Sequence, residues 1–263
     1  MLLQGKNAVV YGAGGGIGGG VARTFAREGA SVFLAGRTRD RLEAVAAGIR
    51  QAGGTARVAV VDVMDEAAVQ AHAEGVTAEA GSLDVSFNLI SRGDVQGVPL
   101  VDMTAADFGG AVSTGLLASF HTARAAARQM TRQGSGVILH LTSGSARGTN
   151  PGMGNTGPAD AATEAFMRYL AAEVGPAGVR VLGIYTAGVP ETLTPEKLAS
   201  VNPAMQLDAA GLQRLLEGMA GMTMLRRAPR LAQVADVAAF LASDRAAAMT
   251  GTIVNVTCGL VPG

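Results

Sequence analysis

The sequence predicts an α/β fold: a doubly wound parallel sheet of about seven strands with helices on both faces. Three observations carry this expectation. Short apolar runs alternate with helical patterns along the whole chain, which is the order of strand and crossover helix that builds a parallel sheet. A hydrophobic content of 48% with 37 glycines among 263 residues suits a close-packed sheet covered by small-residue helices. Near the start, Asn7-Ala8-Val9-Val10-Tyr11 breaks into Gly12-Ala13-Gly14-Gly15-Gly16-Ile17-Gly18 and restarts as a helix with Ile17, Val21, Ala22, Phe25 and Ala26 at helical spacing. Strand, glycine turn and helix in that order let the backbone approach a pyrophosphate, whose charge the helix N-terminus stabilises.

The other elements follow in order. A second strand, 31–35, ends at Gly36-Arg37-Thr38, and a helix over 39–52 puts Leu42, Val45, Ala46 and Ile49 on one face. A third strand, 57–61, closes on Asp62-Val63; a helix over 66–79 and a fourth strand over 84–90 lead to Ser91-Arg92-Gly93. A long helix is predicted over 107–133, and a fifth strand over 136–141 runs into Thr142-Ser143-Gly144. A helix over 159–174, a sixth strand over 180–185, a helix over 231–242 and a last strand over 251–256 complete the pattern. With no linker or internal repeat, residues 1–263 are expected to form one domain. Within it, 188–225 is apolar for a connection, with Leu193, Leu198, Met205, Leu212, Leu216 and Met219 among its residues. An insertion after a strand's C-terminal end covers the ligand crevice in this architecture, and methionines adapt to irregular shapes. Plain core packing is the competing reading.

Charge and cysteine usage narrow the function classes. With 21 basic and 21 acidic residues there is no electrostatic footprint for nucleic acid. Cys258 is the only cysteine, so no internal disulfide forms, and a reducing compartment fits. Met1 to Lys6 lacks a signal peptide's apolar core, and no apolar run reaches membrane-spanning length. A cytoplasmic protein that binds neither membrane nor nucleic acid is expected.

These pieces, in this order, resemble the short-chain dehydrogenase/reductase family over essentially the whole chain. The matching features are Gly12-x-x-x-Gly16-Ile17-Gly18, Asp62-Val63, Asn88 after the fourth strand and Ser143 after the fifth. Further matches are Gly178-Val179-Arg180-Val181, Phe240-Leu241-Ala242-Ser243-Asp244 and Thr250-Gly251. The resemblance implies a Rossmann-type fold that binds NAD(H) or NADP(H), with Gly12, Gly16, Ile17, Gly18, Asp62, Val63 and Asn88 on the cofactor side. Asp62 resembles the family residue facing the adenine; an aspartate capping the next turn would look the same. At the end of the second strand an acidic residue would accept the ribose 2′-hydroxyl. That point carries Arg37 instead, whose guanidinium pairs with a 2′-phosphate, so NADP(H) is favoured over NAD(H).

The resemblance also implies a catalytic tyrosine, lysine, serine and asparagine. Ser143 matches the serine. Thirteen residues on, the tyrosine position is Thr156; four beyond, the lysine position is Asp160; the asparagine position falls on Gly115. The segment from Met167-Arg168-Tyr169-Leu170 through Ala187-Gly188 is also similar to the enoyl reductase branch, whose tyrosine position counts to Met153. A threonine hydroxyl is a far weaker acid than a lysine-assisted phenol, and Asp160 reverses the local charge sign. Tyr185, at the end of the sixth strand, is the candidate replacement acid. Asp160 is either a general base or an exposed residue at a helix start. Tyr11 is expected to pack beside the glycine turn, His140 to be a hydrogen-bonded core histidine, and His72 and His121 to sit on helices. No His, Cys or Asp cluster has metal-ligand spacing, and Ser143 lacks a hydrolase triad.

Three functional readings follow: an oxidoreductase with a degenerate site acting on a small or apolar carbonyl or alcohol, a catalytically silent nucleotide-binding subunit or regulator, and a lyase, isomerase or cyclase on the same scaffold. If the inherited scaffold survives around position 156, Thr156→Tyr with Asp160→Lys is expected to give weak carbonyl reduction, and neither change alone to suffice. The helices over 107–133 and 159–174 match the pair that family members use at a two-fold interface. Ala123, Ala126, Ala127, Ala161, Ala162 and Ala165 would permit close helix approach, giving a homodimer or homotetramer.

Overall fold

The computed structural model describes residues 1–148 and 151–262. Seven strands form one sheet: β1 (Asn7–Tyr11), β2 (Ser31–Gly36), β3 (Thr55–Val60), β4 (Val85–Asn88), β5 (Gly136–Ser143), β6 (Val179–Thr186) and β7 (Thr252–Val256). Their order is β3-β2-β1-β4-β5-β6-β7 and every pairing is parallel. The helices are α1 (Gly16–Arg27), α2 (Arg39–Gln51), α3 (Glu66–Ala80), α4 (Ala105–Gln133), α5 (Thr156–Val174), α6 (Pro195–Val201), α7 (Ala209–Gly221) and α8 (Leu231–Ala242).

Alternation along the strands divides the core in two. Ala8, Val10, Val32 and Leu34 face one way and pack with Val21 and Phe25 of α1, Leu42 and Ile49 of α2, and Val234 and Leu241 of α8. Val9, Tyr11, Phe33 and Ile138 face the other way and pack with Val69 of α3, Met130 of α4 and Met167 of α5. The sheet is therefore wound on both sides, as expected, and strand order reverses between β1 and β4. In such sheets the crevice beyond the strand C-termini at that reversal holds the ligand.

Two boundaries shift with consequences. β5 runs two residues further than predicted, so Ser143 ends the strand. α5 starts at Thr156 rather than 159, which puts Thr156 and Asp160 one turn apart on a single helix. The 188–225 stretch contains α6 and α7, begun by Thr194 and Asp208, whose side chains accept N–H bonds from Lys197 and Gly211. Leu193, Leu198, Met205, Leu212, Leu216 and Met219 in it are half-buried, none of them fully.

Candidate functional site

The glycine turn after β1 is built for close approach. Gly12 adopts φ +78, and a Cβ there would lie 2.5 Å from Leu89 O; one on Gly18 would lie 2.3 Å from Gly12 O. The N-terminus of α1 carries no side-chain cap and no acidic residue, so its first N–H groups are free for an anion. Asn88 ties β4 to α4: its Nδ2 donates to Ser119 Oγ at 3.3 Å, and its Oδ1 accepts from Ile90 N–H at 3.3 Å. Asp62 accepts from Met64 N–H at 3.0 Å, which is the turn-capping geometry. Val63 is buried and its carbonyl meets His121 Nδ1 at 2.9 Å. Arg37 is exposed at the end of β2 and makes no ion pair among the described residues. Beside it, Thr38 caps α2 without a side-chain bond, and the Cβ of Arg41 lies 3.0 Å from where a Gly14 Cβ would be. The glycine cradle and the uncapped helix fit a dinucleotide.

The 188–225 stretch touches the glycine turn and the segment after β4. A Cβ on Gly16 would meet Thr192 Cγ2 at 2.8 Å, Lys197 Nζ donates to Ser91 Oγ at 3.3 Å, and Gln96 N–H donates to Val201 O at 2.7 Å.

At the end of β5 the structure corrects the expectation for Asp160. It is not an exposed helix-start residue; its side chain is 1% exposed. Its carboxylate accepts from Ser143 N–H at 3.0 Å, Ser143 Oγ–H at 2.5 Å and Arg92 Nη1 at 2.5 Å. Arg92 also donates from Nε to Asp94 at 2.7 Å and from Nη2 to Thr156 O at 3.4 Å. Burial acts to lower the guanidinium pKa; Asp160 and Asp94 outweigh it, leaving Arg92 above its ordinary value. The side chain of Arg92 crosses Gly115, where a Cβ would lie 2.8 Å from Arg92 Cδ. The charge reversal at 160 is thus answered by a cation that counting to the family positions had not found. Its room comes from the missing side chain at 115. The nearby Thr156 hydroxyl is buried and accepts from Gln96 Nε2 at 3.1 Å.

Tyr185 is turned away from this group. It pairs in register with Thr142, whereas Ser143 pairs with Thr186, so Tyr185 and Ser143 leave opposite faces of the sheet. The ring is buried beneath the Arg147 guanidinium, 5.2 Å from its centroid, and does not supply an acid beside Ser143. His140 is buried as expected but not hydrogen-bonded: neither ring nitrogen has a partner among the described residues. Burial pushes its imidazole down to about 4. It borders a polar cavity of about 20 Å³ with Asn88, Arg92, Gly115 and Ser119, too small for a substrate. His72 is helical, is lowered by burial to about 4, and lies 3.4 Å from the buried Tyr11 hydroxyl. His121 is likewise helical.

A larger cleft of about 700 Å³ opens beside Ser145, with Val98, Leu100, Met153, Pro158 and Ala161 in its walls. Its described walls come from the segments after β4 and β5 and the start of α5, not from the Met-rich insertion. Met153, met in counting to the enoyl reductase tyrosine, belongs to this apolar wall. Among the described residues no group of three or more His, Cys, Asp or Glu is placed to hold a metal ion.

The family model described as enoyl-(acyl carrier protein) reductase matches residues 12–261. The chain belongs to the short-chain dehydrogenase/reductase family. Among its relatives in that family, the 7alpha-hydroxysteroid dehydrogenase of Escherichia coli K12 is 32% identical over 259 residues, covering 98% of this chain and 95% of the relative. The 3-oxoacyl-[acyl-carrier-protein] reductase FabG of Pseudomonas aeruginosa is 30% identical over 260 residues, covering 99% of each. The structure of a 7 alpha-hydroxysteroid dehydrogenase complexed with NADH and 7-oxo glycochenodeoxycholic acid superposes with a TM-score of 0.83 at 32% identity, covering 98% of this chain and 94% of that one. NAD+-bound xylitol dehydrogenase gives 0.86 at 27% identity, covering 97% and 99%. As in these short-chain dehydrogenase/reductase structures, seven parallel strands form one Rossmann-like sheet with helices on both sides. No helix of the described residues is long and apolar enough to cross a membrane.

Proposed function

We propose that this chain is an NADP(H)-dependent oxidoreductase acting on an apolar secondary alcohol or ketone, without a tyrosine–lysine pair. The observation that carries the cofactor choice is the unpaired Arg37 at the end of β2, beside an uncapped α2. A 2′-phosphate there receives charge-assisted bonds from the guanidinium and from helix N–H groups. When bound, the dinucleotide supplies a hydride donor or acceptor. The chain's own residues bind and orient it: the Gly12–Gly18 turn takes the pyrophosphate, Asp62 and Val63 border the adenine, and Asn88 fixes the end of β4. The relatives that carry NADH and NAD+ leave Arg37 as the feature favouring NADP(H) here. The apolar cleft supports an apolar substrate body, in keeping with a relative that acts on hydroxysteroids. Cys258, half-buried and free, fits a reducing cytoplasm.

Fluorescence titration is expected to give NADPH roughly 10–100-fold tighter binding than NADH, with Arg37→Ala removing most of that difference. Equal wild-type affinities would return the assignment to NAD(H). A ketone and alcohol panel followed by nicotinamide absorbance then tests turnover. Binding without hydride exchange would favour the silent nucleotide-binding reading, which the fully engaged Asp160 and the buried Thr156 also support.

We propose a homodimer or homotetramer through α4 and α5. Ala123, Ala126 and Ala127, expected at the contact, are instead buried within the chain. The free face carries Leu117, Phe120 and Tyr169, the last 76% exposed. Sedimentation is expected to show a dimer or tetramer that Leu117→Lys with Tyr169→Lys dissociates; a concentration-independent wild-type monomer would refute it.

A further inference from the structure

Ser143 has its proton committed. Asp160 forms an ion pair with Arg92 at 2.5 Å, and a carboxylate in an ion pair only accepts hydrogen bonds. The Ser143 hydroxyl, 2.5 Å from Asp160 Oδ2, must therefore donate to it. Ser145 N–H donates to Ser143 Oγ at 3.2 Å. One lone pair on Oγ remains for a ligand. The half-buried Ser143 stands two residues before Ser145, where the apolar cleft begins.

From this inventory we propose that the Ser143 centre recognises a hydroxyl group: it accepts a ligand O–H at Oγ while the ligand's apolar body fills the adjoining cleft. The ligand class is an apolar alcohol in preference to the matching ketone. A ketone oxygen would bring a second acceptor against that lone pair and gain no donor from Ser143. Asp160 is the positioning residue, since it sets the direction of the serine's proton without touching the ligand. This inference rests on the reading of the cleft beside Ser143 as the substrate site, and it does not depend on which dinucleotide binds.

Decalol and decalone, equal in shape and differing in the polarity of one oxygen, are suitable probes. Each is titrated, with ligand-observed NMR as readout, into the protein alone and into complexes in which no reaction can occur: alcohol with NADPH, ketone with NADP+. Wild type is expected to bind decalol roughly fivefold more tightly than decalone. Ser143→Ala should weaken decalol to the level of decalone and leave decalone unchanged. Asp160→Asn, whose amide can direct an N–H at Oγ and release the serine's proton, should shift the preference toward the ketone. If that variant does not fold, wild type and Ser143→Ala still decide. Equal binding, tighter ketone binding, a preference that survives in Ser143→Ala, or no binding of either probe would each overturn the proposal. Nucleotide titration of the same samples reports separately on the cofactor assignment.

Discussion

Asp160→Lys is expected to cost the fold roughly 3–5 kcal/mol, the usual penalty for stranding a buried charge. The new ammonium would occupy a site 1% exposed and face the Arg92 guanidinium, itself only 14% exposed, where a carboxylate now accepts its bond at 2.5 Å. Like charges would meet out of water, and the Ser143 N–H and hydroxyl would lose their common acceptor. Urea denaturation reads the loss directly. Arg92→Met with Asp160→Leu removes both charges and should recover most of it, since paired removal of a buried ion pair is often close to neutral. An unchanged midpoint in Asp160→Lys would show that Arg92 and Asp160 are not coupled. The sequence-based rescue by Thr156→Tyr with Asp160→Lys is corrected for the same reason. It would also need Arg92 shortened and an asparagine at Gly115, where a Cβ now meets Arg92 Cδ at 2.8 Å.

Acidification from pH 6.5 to 4 is expected to destabilise the protein through two histidines, the buried His140 and the half-buried His72. The folded-state values of His140 and His72 are pushed down to about 4 by burial, below the ordinary value of 6.5. Between those values the unfolded chain binds more protons than the folded one, so stability rises with pH across the window and falls as pH drops. Above the unfolded value both states are neutral and the effect vanishes. Below about 4 each histidine has withdrawn its full share, on the order of 3 kcal/mol. His140→Leu is expected to remove about half of this dependence in unfolding curves taken across the window. A slope identical to wild type would show that His140 is not held neutral.

The strands, the crossover helices and the two-sided winding were legible because apolar periodicity and glycine breaks report them directly. α7 was also within reach: Asp208 opens it, and Leu212, Leu215, Leu216 and Met219 follow at helical spacing. Apolar content alone does not distinguish it from an irregular insertion. In the site, counting placed Thr156, Asp160 and Gly115 but not what surrounds them. Arg92 had a signal that went unused, since a carboxylate replacing a lysine needs a cation and Arg92 is the only Arg or Lys between β4 and α4. The orientation of Tyr185 and the unpartnered ring of His140 depend on strand register and on side chains across the sheet. Linear spacing carries neither.

The interlock of Gly115, Arg92 and Asp160 also bears on how this sequence can change. An asparagine at 115 collides with an arginine pinned by Asp94, Asp160 and Thr156 O. A lysine at 160 opposes that arginine, and a neutral residue at 92 strands Asp160. Each single step toward the arrangement implied for the family therefore crosses a less stable intermediate. The three positions behave as a ratchet: the set resists replacement one residue at a time, and leaving it requires concerted change or stability held in reserve elsewhere.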